Sequence, residues 1–415
     1  MFDHKPRERE WVSWLLVMAW TATILLSVPS IRYVTDYVQS QWGDATFTYS
    51  ITLLLVGSAV ATLTFLLKRG GMSLAQFGWL TAILGVYIYL TFSLRSRWPA
   101  EAVHYVEYGV LSLLIYRAFS HRISDNSIYM ASVLAGTLVG VLDETVQWLV
   151  PGRYFDLKDI SLNFSALSLA QITIATAVRP RNISGWPRAR SWQLLSHLAA
   201  ALVLVLGLCH LNTPDVIAAY TTRIPALGFI RQADDVMIEY GHLYDAPDTG
   251  RFRSRFTTAE LRQLDQSRSR ELAGMPFNFA DDQSSLEFLR AYNAIKAPFL
   301  HEAGAHLLSR NASLALAREA LEPDEKRSAY TIAHHENRIL EAYFGAFLRA
   351  TGSLWSSQAP SEVEQESDPD TRYESRVSSH VITAYTQSQA GWFSLGAVIA
   401  LLVLGQWARR RSDVQ

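Results

Sequence analysis

The sequence predicts an all-α fold: a polytopic transmembrane helix bundle of about eight spans, with an extracytoplasmic α-helical domain inserted before the last span. Three observations predict it. Hydrophobic residues make up 49% of the 415 positions, and they gather in blocks of roughly twenty, the length that crosses about 30 Å of hydrocarbon. Mean hydropathy is nevertheless only +0.08, because one long polar stretch, about 211–389, dilutes those blocks. Within that stretch apolar residues recur three and four apart, the spacing of helices that bury one face.

The first block, WVSWLLVMAWTATILLSVPS, follows a basic start as a secretory signal would, but its length and the further spans after it make it a retained anchor. With it the expected spans lie near 11–30, 49–67, 75–94, 101–118, 127–149, 160–178, 192–210 and 391–407, the fourth and fifth carrying charges. Orientation follows from the basic residues in the short flanks. With the N-terminus inside, one side collects fourteen: Lys5, Arg7, Arg9, Lys68, Arg69, Arg117, Arg122, Arg179, Arg181, Arg188, Arg190 and Arg409 to Arg411. The other collects five: Arg32, Arg95, Arg97, Arg153 and Lys158. Both termini are therefore expected in the cytoplasm and the long polar stretch outside. Tryptophans near the span ends, among them Trp11, Trp42, Trp98 and Trp192, suit the membrane interface.

Charge names no partner beyond the bilayer. The formal net charge is −1, and no basic face of the kind that grips nucleic acid stands out. Cys209, the single cysteine, excludes an intrachain disulfide. Oligomeric state is not legible.

The polar region, 211–355, reads as a helical domain. TTAELRQLDQSRSRELAG starts with a capping box, Thr257 to Glu260, and stops at Gly274. Helices are also expected near 284–310 and 326–352. The run 356–375, SSQAPSEVEQESDPDTRYES, is acidic and nearly free of apolar residues, so a flexible linker is expected before a helix and the last span with its basic tail, 376–415. HEAGAH (His301, Glu302, His306) and HHEN (His334, His335, Glu336) invite a metal reading. The first pair of histidines is five apart rather than the four that a zinc helix uses, so interhelical hydrogen bonds or solvated faces are the better reading. Arg251, Arg253 and Arg255 alternate in GRFRSRF, and a surface turn paired with Asp245 and Asp248 is expected there.

Charge in the wrong place carries the functional signal. On the fourth span His104, Glu107 and Tyr108 stand three and four apart and share a helix face. Glu144 and Gln147 end the fifth span on a face that runs inward through Gly140 and Thr137, small enough for close packing. On the sixth, Asp159, Asn163, Ala166 and Ala170 form one stripe. Arg153 lies in the Pro-Gly turn between the two and is near enough to pair with Glu144 or Asp159. All fall at one depth, near the outer boundary, where ionisable groups are costly unless paired or hydrated. A pocket for an anionic lipid headgroup or a lipid-linked glycan precursor follows. Arg153 would contact the anion, and Gln147 and Asn163 would orient it. No resident cofactor is expected; Glu144 and Asp159 could share a divalent cation with a phosphate, or act with His104 as acid and base. The competing reading is a structural charge network that binds nothing. A transporter would carry charges through the midplane, which this sequence does not.

The order H-x-x-E-Y, then D-E-x-x-Q, P-G-R and D-x-x-x-N resembles the VanZ-like membrane proteins of bacteria over about residues 75–178. Where that family has glycines three and seven residues after the Asn, this chain has Ala166 and Ala170. The resemblance implies a multi-pass protein of the bacterial cytoplasmic membrane, a place in cell-envelope physiology and an association with glycopeptide (teicoplanin) resistance. It implies no particular reaction, so an enzyme on a lipid-linked substrate and a structural accessory protein stay open beside the binding role.

Overall fold

The computed structural model describes residues 6–412 apart from 44, 95–98, 152, 233–235, 273–281, 356–358 and 369–370. Lys5, Arg95, Arg97, Trp98, Gly152 and the expected helix stop at Gly274 lie outside the described residues. The chain divides into two compact units, Met1–Gly207 with Phe393–Gln415, and Leu208–Trp392.

The first unit is the membrane bundle. Its helices are α1 (Glu10–Trp42), α2 (Ala45–Lys68), α3 (Leu74–Leu94), α4 (His104–Phe119), α5 (Ser127–Trp148), α6 (Leu157–Thr173) and α7 (Ala189–Leu211). A 3-10 turn, Pro99–Val103, leads into α4, and a π turn, Ile174–Val178, closes α6. Among the described residues seven helices are long and apolar enough to cross a membrane, the last near the C-terminus. The expected fourth span is not among them, because α4 has only 16 residues. Its position explains the departure: Tyr105, Tyr108, Leu111, Ser112, Ile115 and Tyr116 are all buried, and α1, α5 and α6 pack around it. A helix enclosed by other helices need not offer lipid an apolar surface.

Small residues set the closest approaches. A methyl group added at Gly136 of α5 would stand 2.3 Å from Leu167 Cδ2 of α6, and one at Gly140 would stand 3.2 Å from Asn163 Cβ. Ala166 is fully buried, and its carbonyl accepts a hydrogen bond from Tyr87 Oη at 3.1 Å. Closeness of α5 to α6 thus rests on glycines of α5, with alanine sufficing on α6. At the opposite end Asp125 Oδ1 accepts from the Ser127 N–H (3.0 Å), while its Oδ2 accepts from the Arg188 N–H (3.2 Å) and Ser191 Oγ (2.7 Å). One carboxylate therefore satisfies open N–H groups at the starts of both α5 and α7.

The second unit is mostly helical: α8 (Pro214–Arg223), α9 (Thr258–Leu272), α10 (Asp282–Ala291), α11 (Pro298–Glu319), α12 (Pro323–Tyr343), α13 (Gly345–Ala350) and α14 (Ala359–Glu366). Then α15 (Gln387–Ser412) forms the last apolar helix. Within the first unit α15 meets α7 through small residues, Gly207 against Ser394 and Ser196 against Gly405. The core of the second unit is built on Phe252, Phe288, Phe299, Leu307, Leu340, Phe344 and Phe347. At the start of α9 the capping box is formed: the Thr257 N–H donates to Glu260 Oε2 at 2.7 Å and the Glu260 N–H to Thr257 Oγ1 at 3.4 Å.

Two expectations change in this unit. The stretch with alternating arginines is an antiparallel hairpin, β1 (His242–Ala246) with β2 (Gly250–Ser254). Period-two alternation is what a strand produces, with Phe252 fully buried and its neighbours turned out. Gly250, at φ +70°, makes the turn where a side chain would also strike the Tyr373 carbonyl. Arg251 pairs with Asp245 at 2.9 Å as expected, Arg253 with Glu374 at 2.8 Å. The stretch expected as a flexible linker instead contains α14, packed through Ala359 and Val363. Its acids find partners: Glu362 accepts from Arg318 and from Tyr330 Oη, both at 2.6 Å. Low hydrophobicity failed as a guide because these pairs and two buried aliphatic side chains hold the segment.

Candidate functional site

Three elements bring the charged residues of the membrane unit to one place. The 3-10 turn and first turn of α4 carry Glu101, His104 and Glu107; the last two turns of α5 carry Asp143 and Gln147; the α5–α6 turn and α6 carry Arg153, Tyr154 and Asp159. All line a single cavity of about 390 Å³. Its remaining wall is α1, through Ile24, Ser27, Val28, Val34, Thr35 and Asp36, with Phe47 at the start of α2.

Of the eight residues singled out from sequence, five line this cavity: His104, Glu107, Gln147, Arg153 and Asp159. Tyr108, Glu144 and Asn163 do not; they are fully buried behind it. Glu144 has a positional task. Its Oε1 accepts from Gln147 Nε2 at 2.8 Å and its Oε2 from the Asp156 N–H at 3.1 Å. Arg153 donates to Gln147 Oε1, rather than pairing with Glu144 or Asp159 as expected. The chain Arg153, Gln147, Glu144, Asp156 ties the α5–α6 turn to the end of α5 and fixes the guanidinium at the cavity wall. Lys158 pairs with Glu101 at 2.9 Å, and His104 Nδ1 lies 3.8 Å from Glu107.

Asp143, the first residue of the D-E-x-x-Q motif, is a cavity residue that was not among the expected site residues. Its Oδ2 accepts from Tyr108 Oη at 2.9 Å, while its Oδ1 is buried without a hydrogen bond. The signal was present: Asp143 and Gln147 are four apart and share a face of α5, but the neighbouring Glu144, three from Gln147, drew attention instead.

The cavity is under-satisfied. His104 Nδ1, Asp143 Oδ1 and Asp159 Oδ1 are buried with no hydrogen-bond partner, and behind them so are both amide atoms of Asn163. Buried polar groups are nearly always bonded to protein or water, so this concentration on one cavity marks a place for water or for a ligand's donors. Among the described residues no three His, Cys, Asp or Glu side chains form a group able to hold a metal ion.

In the second unit the two histidine motifs meet across α11 and α12. His306 of α11 and Glu336 of α12, both fully buried, are 2.6 Å apart, and Glu336 Oε1 also accepts from Tyr373 Oη and Ser375 Oγ, each at 2.5 Å. Beside them Arg255 bridges Glu239 (2.8 Å) and Glu302 (3.2 Å), and His380 reaches Glu239 at 2.6 Å. Burial opposes ionisation of Glu239, but the His380 hydrogen bond and the Arg255 guanidinium outweigh it and hold the carboxyl at about 2. Burial, with Arg255 adding to it, pushes the His301 imidazole down to about 4.

A family model described as VanZ/LLP1 matches residues 13–176. No curated protein and no solved structure matches the chain. The match begins well before residue 75, where the motif-based resemblance started, and so takes in α1, the helix that supplies the cavity's apolar wall. The membrane unit of this chain is therefore VanZ-like over residues 13–176, with the second helical unit lying outside that match.

Proposed function

We propose that the cavity of the VanZ-like bundle binds the polar headgroup of a bacterial envelope lipid, one that carries a phosphate together with hydroxyl donors, as an anionic phospholipid or a lipid-linked glycan precursor does. The observation that carries this reading is the set of orphaned acceptors. Asp143 Oδ1, Asp159 Oδ1 and a ring nitrogen of His104 stand without partners on a cavity that also presents one guanidinium. A phosphate alone would be repelled by the carboxylates. A phosphate ester bearing hydroxyls satisfies both kinds of wall: Arg153 takes the anion and the carboxylates accept from the hydroxyls. A divalent cation held by Asp143 or Asp159 and the phosphate together is compatible with this arrangement, since such ions commonly use one or two protein carboxylates and substrate oxygens. Binding rather than catalysis is favoured because no nucleophile is evident and Glu144, one of the two acids expected to work with His104, is committed to the α5–α6 turn.

Native mass spectrometry of the detergent-purified protein beside Arg153→Ala tests the reading. Retention of an anionic lipid or lipid-linked precursor by the wild type, lost in the variant, supports it. Equal retention in both folded proteins returns the cluster to a structural network. The bias of basic residues in the short flanks supports an orientation in which Glu322 lies outside the cytoplasmic membrane and Arg410 inside. In intact cells an impermeant maleimide should then label Glu322→Cys and not Arg410→Cys. A role in glycopeptide response follows from occupancy of an envelope precursor, and a deletion strain with unchanged teicoplanin susceptibility would remove that part.

A further inference from the structure

The α1 wall opposite the charged residues sets the aliphatic side chains of Ile24, Val28 and Val34 among Ser27, Thr35 and Asp36. Ile24, Ser27, Val28, Val34 and Thr35 are spaced three, four, ten and eleven residues from the first, which places them on one face of α1. From Ile24 to Asp36 that face runs about 18 Å at 1.5 Å per residue. Ile24, Ser27 and Val28 belong to the portion of α1 apolar enough to cross a membrane, Glu10–Ser30. Asp36 lies one turn beyond Arg32 at the polar end. One turn below Ile24, Trp20 Nε1 donates to the Glu107 carbonyl at 2.9 Å.

A soluble headgroup does not need such a wall. Within this stripe α1 contains Pro29, which removes one helical hydrogen bond and cannot close the turn against residue 25. Helix α1 rests chiefly on α4, and α2 rests on α3 and the 3-10 turn, so the two consecutive helices share little contact. Phe47 of α2 and Val34 of α1 both line the cavity at that slot.

We infer that the cavity takes its ligand as an amphiphile, with one hydrocarbon chain seated along the α1 stripe and leaving toward the bilayer between α1 and α2. The inference rests on the headgroup reading and adds to it the chain-binding half of the site. The two halves share one cavity: charge and orphaned acceptors come from α4, α5 and α6, and aliphatic side chains from α1. A chain there adds buried apolar area to binding, which a headgroup alone cannot.

The test uses the full chain in detergent with two probes, dioleoyl phosphatidylglycerol and its chain-free headgroup glycerophosphoglycerol, titrated by native mass spectrometry. In the wild type the lipid should bind at least tenfold more tightly. Val28→Trp fills the stripe and should abolish that advantage while headgroup binding persists; Arg153→Ala should weaken both probes. Lipid binding that depends on Arg153 and is indifferent to Val28→Trp overturns the chain site and leaves the headgroup reading standing. Lipid binding that depends on Val28 and is indifferent to Arg153, or no binding of either probe, overturns the headgroup reading itself. A measurement without substitutions stands beside these. A phosphatidylglycerol with a photoreactive chain should label Ile24 to Val34 on the cavity face, whereas labels confined to Leu26 and Tyr33, which are 77% and 78% exposed, overturn the proposal.

Discussion

The two units each hold a buried cluster of histidines and carboxylates, and the clusters are built on opposite plans. In the second unit Glu336 receives three partners from α12's surroundings, His306, Tyr373 and Ser375, and Arg255 spans two glutamates. In the membrane unit Asp143 spends one oxygen on Tyr108, and the side chain of Asp159 has an oxygen with no partner at all. Orphaned atoms occur in both, His335 and one oxygen of Glu302 among them. Among the described residues, those of His104, Asp143 and Asp159 in the membrane unit gather on the walls of a cavity that also holds a guanidinium. The distinction between a cluster that holds a fold together and one that waits for a ligand is therefore not residue type or burial. It is whether the unsatisfied atoms share an accessible space.

The comparison breaks first if Glu336 proves dispensable. Glu336→Ala leaves His306, Tyr373 and Ser375 without their acceptor, and removal of one partner from a buried ionic cluster costs about 3–5 kcal/mol. Pulse proteolysis of the full chain in detergent should then cut the second unit at much lower denaturant than in the wild type. A smaller but separable effect comes from acid. Glu239 is held at about 2 against an ordinary 4.5, so its contribution is full above pH 4.5 and lost as the pH falls toward 2. His301 lies at about 4 against 6.5 and stays neutral in the fold, so its contribution is full above pH 6.5 and lost as the pH falls toward 4. Resistance to proteolysis should decline in two stages below neutrality, with His301→Gln shrinking the upper one, to which His334 and His335, also held below the ordinary imidazole range by burial, add. A flat profile in the wild type from pH 7 to 4 would contradict the closed plan.

Legibility in the sequence follows the same division. The spans, the capping box at Thr257 and the convergence of α4, α5 and α6 could be read because each depends on spacing within one segment. His104, Glu107, Gln147, Arg153 and Asp159 announce themselves as charges beside apolar runs. What stayed hidden depends on partners far along the chain. The segment around Val363 looks unstructured until Arg318 and Tyr330 meet Glu362. Of two adjacent acids, Glu144 and Asp143, both stand at helical spacing from Gln147, and what separates them is remote: the Asp156 N–H, brought over by the turn, captures Glu144. The role of α1 was invisible because an aliphatic stripe in a span looks the same against lipid as against a cavity.

Packing behind the open cluster supplies a sharper test of why it stays open. Gly136→Ala forces a methyl within 2.3 Å of a Leu167 methyl in a fully buried contact, and overpacking of that kind costs about 1–3 kcal/mol. At Gly140 the nearest atoms are 3.2 and 3.3 Å away, both on Asn163. A shift of a few tenths of an ångström suffices there, so Gly140→Ala should cost less, about 1 kcal/mol or below. Thermal unfolding in detergent should rank Gly136→Ala as the more damaging. The reverse order would mean that Asn163, and not Leu167, sets the α5–α6 distance.

The smallest stability effect belongs to the residue that most sharply separates the two plans. Asp159 lies half-buried on the cavity wall with Oδ1 unpartnered. Replacement by Asn keeps the shape and removes a charge that the fold does not pair, so Asp159→Asn should shift stability by no more than about 0.5 kcal/mol and can raise it. Binding of dioleoyl phosphatidylglycerol should nevertheless weaken severalfold, because an amide accepts less strongly than a carboxylate from a ligand hydroxyl. A charge whose loss leaves the fold intact and weakens the complex is doing its work in the complex. If Asp159→Asn instead destabilised the bundle as Glu336→Ala destabilises the second unit, both clusters would be structural and the contrast between them would be one of packing quality alone.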